Sequence, residues 1–191
     1  MGDYTAFVEA GESLVKLFRA FMTPEPVSNP EQIGLCSPHS PENNQLTVSL
    51  FHVEEDMTNT QGGYYQASRD VQRMRPTYFG LRFLVTAHSK APEQMREADS
   101  YRIIGAATQT VLDNPSLPPE LLVGSLAESG AQPRLMIERL NYEQLMKIWN
   151  NTSVAYKLSI VCKIEGVAIV SKRERRVSRV GEFTVNGEQI Q

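Results

Sequence analysis

A chain of 191 residues with a net charge of −3, 41% hydrophobic and 21% charged, has the make-up of one globular domain. That length buries enough surface to fold without a disulfide or metal staple, and the balance excludes collagen-like, wholly disordered and multi-span membrane proteins. The acidic excess argues against a duplex nucleic-acid binder, which carries the opposite sign.

The first residues, MGDYTAFVEAGESLVKLF, do not read as a signal peptide, because Asp3, Glu9 and Glu12 interrupt any apolar stretch. Ala6 stands where a myristoylation motif needs Ser or Thr. No apolar run is long enough to span a bilayer, so the chain is expected to be made and folded in the cytosol. Cys36 and Cys162 fit no CxxC spacing, and Cys162 is expected to act as a small hydrophobe in a strand.

Phe7, Leu14, Phe18 and Phe21, with Val8, Val15 and Leu17, predict an amphipathic helix capped by Asp3 or Thr5 and stopped at Pro24. Thr23 to Asn44 holds Pro24, Pro26, Pro30, Pro38 and Pro41 and reads as an extended linker. Leu46 to Val53 alternates as a strand. The polar stretch after it, about twenty residues containing Gly62, Gly63, Tyr64, Tyr65, Arg69, Arg73 and Arg75 and ending at Pro76, has no periodicity and reads as a long loop.

Tyr78 to His88 is a second strand, with Phe79, Leu81, Phe83, Val85 and Ala87 on one face. Pro92 to Asp113 is a second helix whose stripe comprises Ala98, Tyr101, Ile104, Thr108, Val111 and Leu112. Leu117 to Leu126 gives at most a helical turn, and Leu135 to Leu140 a short strand. Asn141 to Gln144 forms a capping box for a third helix carrying Leu145, Ile148 and Trp149. Tyr156 to Ile164 alternates most clearly, and Gly166 marks a bend after it. The result is a mixed α/β (α+β) single domain, with a sheet of about four strands flanked by about three helices.

The end changes character. Lys172, Arg173, Arg175, Arg176 and Arg179 stand against Glu174, and Val177 to Val185 is strand-like. The expected division is a domain over 1–170, with the 23–44 linker inside it, and a basic arm over 171–191.

Catalytic patterns are missing. His39, His52 and His88 make no HxH, HxxxH or HExxH spacing, and Glu54-Glu55-Asp56 on a strand cannot all face one ion. There is no GxGxxG, no GxxxxGK[ST] and no nucleophile elbow around Gly124-Ser125. The chain is expected not to be an enzyme and to take no cofactor, metal or small-molecule substrate. The basic run lacks the interleaved aromatics of a single-strand binder, so an acidic protein is the expected partner rather than nucleic acid or membrane.

Four blocks in order resemble the cap, or terminator, proteins of extracellular contractile injection systems of the antifeeding-prophage and virulence-cassette type. They are LTVSLFHVEEDMTN, RPTYFGLRFLVTAH, IIGAATQTVLDN running into LDNPSL, and IERLNYEQLMKIWNNTSVAYKLSIVCKI, together covering Leu46 to Ile164. That family is similar in role and fold to phage tail-terminator proteins. The resemblance implies a homohexameric ring on the tube end distal to the baseplate, which stops tube polymerisation and anchors the last sheath layer. Its partners would be further copies of itself, the inner-tube protein and the sheath protein. Assembly would be cytoplasmic, in a phage tail-like particle that can be released from the cell.

On this reading the arm residues Arg173, Arg175, Arg176, Val177, Arg179, Val180, Phe183 and Val185 are expected to bind the sheath or tube by strand addition. Tyr64, Tyr65, Arg69, Arg73 and Arg75 are expected in the same interface, for their Tyr/Arg bias. A phage tail terminator or connector is the first alternative. An adaptor binding an acidic partner through the Arg-rich tail is the second.

Overall fold

The computed structural model describes residues 3–58, 60–150 and 155–176. Helix α1, Ala6–Met22, ends before Pro24 as expected, but its buried stripe is turned. Ala6, Ala10, Leu14, Leu17 and Phe18 face the core, while Val8 and Phe21 are exposed. The small residues let the helix lie close on the sheet: a Cβ on Gly11 would come within 2.8 Å of Leu35. Thr5 is the N-cap residue, yet its hydroxyl donates to Glu9 Oε1 (2.6 Å) instead of capping the backbone.

The expected Pro-rich linker contains structure. Asn29 caps a single 3₁₀ turn, Pro30–Gln32, which leads into strand β1, Ile33–Leu35. The prolines bracket this strand without entering it. Strand β2, Leu46–Glu55, pairs with β1 in parallel from Ile33↔Leu46 to Leu35↔Val48.

The expected long loop is a hairpin of β3, Tyr64–Ser68, and β4, Val71–Met74. Its side chains are mostly exposed on both faces, which leaves no apolar alternation to read. Strand β5, Thr77–Ala87, follows. Helix α2, Arg96–Asp113, buries Ile103, Ile104, Ala107, Thr110 and Val111, whereas Ala98, Tyr101 and Leu112 of the expected stripe are exposed.

A short helix α3, Gly124–Glu128, precedes β6, Arg134–Glu138, and α4, Tyr142–Asn150. The capping box forms as read: Asn141 N donates to Gln144 Oε1 (3.0 Å) and Gln144 N to Asn141 Oδ1 (2.8 Å). Strand β7 is Ser159–Ile169, and β8, Glu174–Arg176, ends the described chain. Tyr156 precedes β7 and is 41% exposed, packed edge-on to Trp149.

Five strands make the main sheet in the order β1-β2-β5-β7-β6, and three make a second, β3-β4-β8. The fold is the mixed α+β domain expected, with more strands because β1, β3, β4 and β8 are short or two-sidedly exposed. One face of the main sheet packs Leu81, Phe83, Val85, Cys162 and Ile164 against α1 and α2. On the other face α4 sets Trp149 on Leu84 and Val161. At the expected bend, Gly80 faces both Glu165 and Gly166, a bulge in which Gly166 takes φ +85°.

Candidate assembly interface

The second sheet is a continuation of the first. β2 ends at Glu55 and β3 starts at Tyr64; β4 runs through Arg75-Pro76 into β5; β7 runs through Val170–Arg173 into β8. The pairing order carries over, β2-β5-β7 becoming β3-β4-β8. Antiparallel contact resumes across the break with Met74 N donating to Arg173 O (3.2 Å) and Arg73↔Glu174 in register. The three central strands therefore extend beyond the helices as a ribbon with little cover on either face.

Most of the interface residues expected from the sequence gather on this ribbon. Tyr64 and Tyr65 lie on β3, Arg69 at the hairpin turn, Arg73 on β4, Arg75 after it, Arg173 before β8, and Arg175 and Arg176 on β8. Val177, Arg179, Val180, Phe183 and Val185 lie outside the described residues. The Arg175 guanidinium sits 4.3 Å from the Tyr64 ring centroid and donates to Gln72 Oε1 (2.8 Å). Arg73 pairs with Glu174 (2.7 Å), and Arg75 donates to Gln61 Oε1 (3.1 Å). Residues 61–76 and 171–176 hold seven cations and two carboxylates on a chain whose net charge is −3. A basic ribbon thus projects from an acidic body.

Sequence reasoning missed a second surface, along the other side of the sheet. β1 covers β2 only from Leu46 to Val48, and no described strand covers the outer edge from Ser49 to Glu55. Leu50, Phe51 and Val53 on that edge are 36%, 37% and 38% exposed. Where β1 stops, an apolar groove of about 490 Å³ opens between α1 and the edge, lined by Tyr4, Phe7, Val8, Leu35, Leu50 and Phe83. The signal was present in the strand reading of 46–53, but the shortness of β1 was not.

Ion pairs knit the outer sheet face. Arg82 bridges Glu54 Oε2 (2.7 Å) and Glu138 Oε2 (2.5 Å), and Lys163 bridges Glu54 Oε1 (3.0 Å) and Glu165 Oε1 (2.8 Å). Hydrogen bonds from Arg82 and Lys163 hold the Glu54 carboxyl down to about 2. Glu54 is therefore committed within its own chain, and the exposed Glu55 follows it at the end of the edge.

A larger cavity of about 590 Å³ lies at the opposite end of the sheet, lined among others by Asn44, His88, Lys90, Arg96, Tyr101 and Lys157. The Lys157 ammonium has no lone pair and lies 2.9 Å from His88 Nδ1, so Nδ1 accepts and Nε2 donates to Thr47 Oγ1 (2.9 Å). Burial, and the Lys157 charge after it, lower the His88 pKa to about 4. Thr47 is fully buried and His88 is 7% exposed at the cavity wall. Burial raises the Cys162 thiol to about 12 and leaves it inert. Among the described residues no cluster of His, Cys, Asp or Glu is fit to hold a metal ion. No helix among them is long and apolar enough to cross a membrane.

No curated protein sequence matches the chain. Solved structures share its fold, two terminators among them. The sheath/tube terminator of an extracellular contractile injection system, PVC, in its extended state, matches 100% of this chain and 66% of its own, with TM-score 0.64 and 12% identity. The tube-terminating cap of the anti-feeding prophage matches 94% of this chain and 61% of its own, with TM-score 0.59 and 16% identity. The chain thus spans just under two thirds of the length of either. The Pvc16 N-terminal domain family matches residues 9–182, nearly the whole chain, and the protein belongs to that family.

Proposed function

We infer that this chain is a structural terminator of a contractile injection system. It forms a homohexameric ring on the end of the inner tube distal to the baseplate, stops tube growth there and anchors the last sheath layer. The observation that carries this reading is a fold shared with a sheath/tube terminator along the full described chain, within a matching family. Its partners are other copies of itself, the tube protein and the sheath protein, and its work is contact rather than catalysis. The ring is assembled in the cytoplasm as part of a particle that acts outside the cell.

The basic ribbon and the arm over 171–191 are the contact elements on this reading. Residues 1–170 form the ring body, with 23–44 as its Pro-rich stretch. Tyr64, Arg73 and Arg175 present a cation-rich surface for an acidic neighbour. Electron microscopy of assembled tubes mixed with the purified protein tests the role. The expected result is sixfold density seated on one tube end only, with elongation halted. Bare ends and unhindered growth would overturn it.

The same ribbon favours a second reading, an adaptor for an acidic partner that has no tube in it. That reading predicts a stable monomer whose binding weakens steeply with salt.

A further inference from the structure

We propose that the open edge of β2, Ser49 to Glu55, with the groove beneath it, is the docking site for the segment following β8, residues 177–185, of a second copy of this chain. The inference rests on the ring reading above and names the contact that would join one copy to the next.

Among the described residues this edge is open, and a β-bulge at Phe51 interrupts it between Leu50 and His52. β1 stops at Leu35 while β2 continues for seven residues, Ser49 to Glu55, with no described strand on that side. The groove lies under the Ser49–Leu50 end of the edge, just past the end of β1, and Tyr4 and Val8 of the α1 region are exposed there. A strand added at this place gains backbone hydrogen bonds along the edge and an apolar floor at its Ser49–Leu50 end.

The occupant is set by topology and charge. In the ribbon β8 is the strand farthest from the β2/β3 side, and its outer edge has no partner among the described residues. The described chain therefore ends, at Arg176, on the strand across the ribbon from the β2/β3 side. A contact between two different edges is heterologous, and repeated around an axis it closes a ring. The segment supplies what the site asks for. Phe183 and Val185, two apart, would share the face over the groove, and Arg179 would reach the exposed Glu55 at the acidic end. That pairing of ends makes the added strand antiparallel to β2.

The test uses full-length protein in a Cys36→Ser background, which removes the thiol beside the groove. One preparation carries Val53→Cys; others carry Val180→Cys or Gly181→Cys, which sample both faces of the added strand. Each molecule then has a single engineered thiol, so a disulfide between differently tagged preparations forms only between copies. Mixing is done in concentrated solution and again on tube ends, with far-UV circular dichroism as the check on folding. The expected result is a mixed disulfide for one of the two tail positions. It should be lost when Phe51→Lys is added to the Val53→Cys preparation, because an edge lysine blocks strand addition. No mixed disulfide in either setting, or an internal disulfide in a Val53→Cys/Val180→Cys double variant, overturns the proposal. Halted tube growth without the disulfide would leave the terminator reading standing and remove this contact. The disulfide without halted growth would do the reverse.

Discussion

Glu9 is a carboxylate buried within a helix, and its surroundings explain why it is tolerated. It accepts from Thr5 Oγ1 (2.6 Å), Ser125 Oγ (2.6 Å) and Leu126 N (3.2 Å), so it binds the start of α3 to α1. Burial alone would raise its pKa; the hydrogen bonds from Ser125, Thr5 and the backbone of Ser125 and Leu126 lower it below the ordinary value. Gly124 makes room for that carboxylate: it adopts φ +56°, and a Cβ there would lie 2.4 Å from Glu9 Oε1. Gly124→Ala should therefore destabilise by about 2 kcal/mol or more, seen as a lowered thermal transition; an unchanged transition would contradict the contact. His88 gives a pH test. Its folded pKa, about 4, lies below the unfolded value of about 6.5, so between those pH values the unfolded chain binds a proton that the folded chain does not. Stability should fall as pH drops through that window, and less steeply in a His88→Gln variant.

At the scale of elements, α4 depends on its cap. Asn141→Ala removes the acceptor for Gln144 N and should cost about 1 kcal/mol in chemical denaturation. The same box shows what a sequence displays openly: Asn141 and Gln144 are three apart because the motif is local, and so they were legible. Phe79, Leu81, Phe83, Val85 and Ala87 were legible for a related reason, since these alternate residues share the face of β5 that packs on the core, although Leu84 and Thr86 on the other face are buried as well. The hairpin of β3 and β4 was not, because Tyr64, Gln66, Ser68 and Arg73 are all exposed and no hydrophobic period forms. In α2 two stripes were available around Ile104 and Val111, and only tertiary contacts chose Ile103 and Ala107 over Tyr101 and Leu112. Of the candidate interface, the Tyr and Arg composition was readable. The ribbon that carries these residues was not, because it depends on β3, β4 and β8 pairing beyond the main sheet. Phe83→Ala, at the centre of β5 and 1% exposed, should cost about 3–5 kcal/mol; a smaller loss would show that the two faces of the sheet are packed otherwise.

For the whole molecule the separation of charge governs association. The cations of the ribbon face solvent while the rest of the chain carries the acidic excess. Contacts made by Arg73, Arg75, Arg173 and Arg175 should form faster at low ionic strength and weaken as salt is raised. An Arg173→Glu/Arg175→Glu variant should keep the far-UV circular dichroism of the parent and lose attachment to tube or sheath in co-sedimentation. Retained attachment would move the contact off the ribbon.

Because the ribbon is made of the same three strands that cross the core, it is also a handle. In antiparallel pairs the hydrogen bonds stand perpendicular to the strands, so a pull along the ribbon axis loads the β5–β7 ladder, Thr77↔Ile169 through Thr86↔Ser159, in shear and all at once. A pull across the ribbon would instead part the short β4–β8 contact, Val71↔Arg176 to Arg73↔Glu174, one bond at a time. The protein should thus resist traction along one axis and release along another, a mechanical anisotropy that single-molecule pulling from the ribbon tip would measure directly.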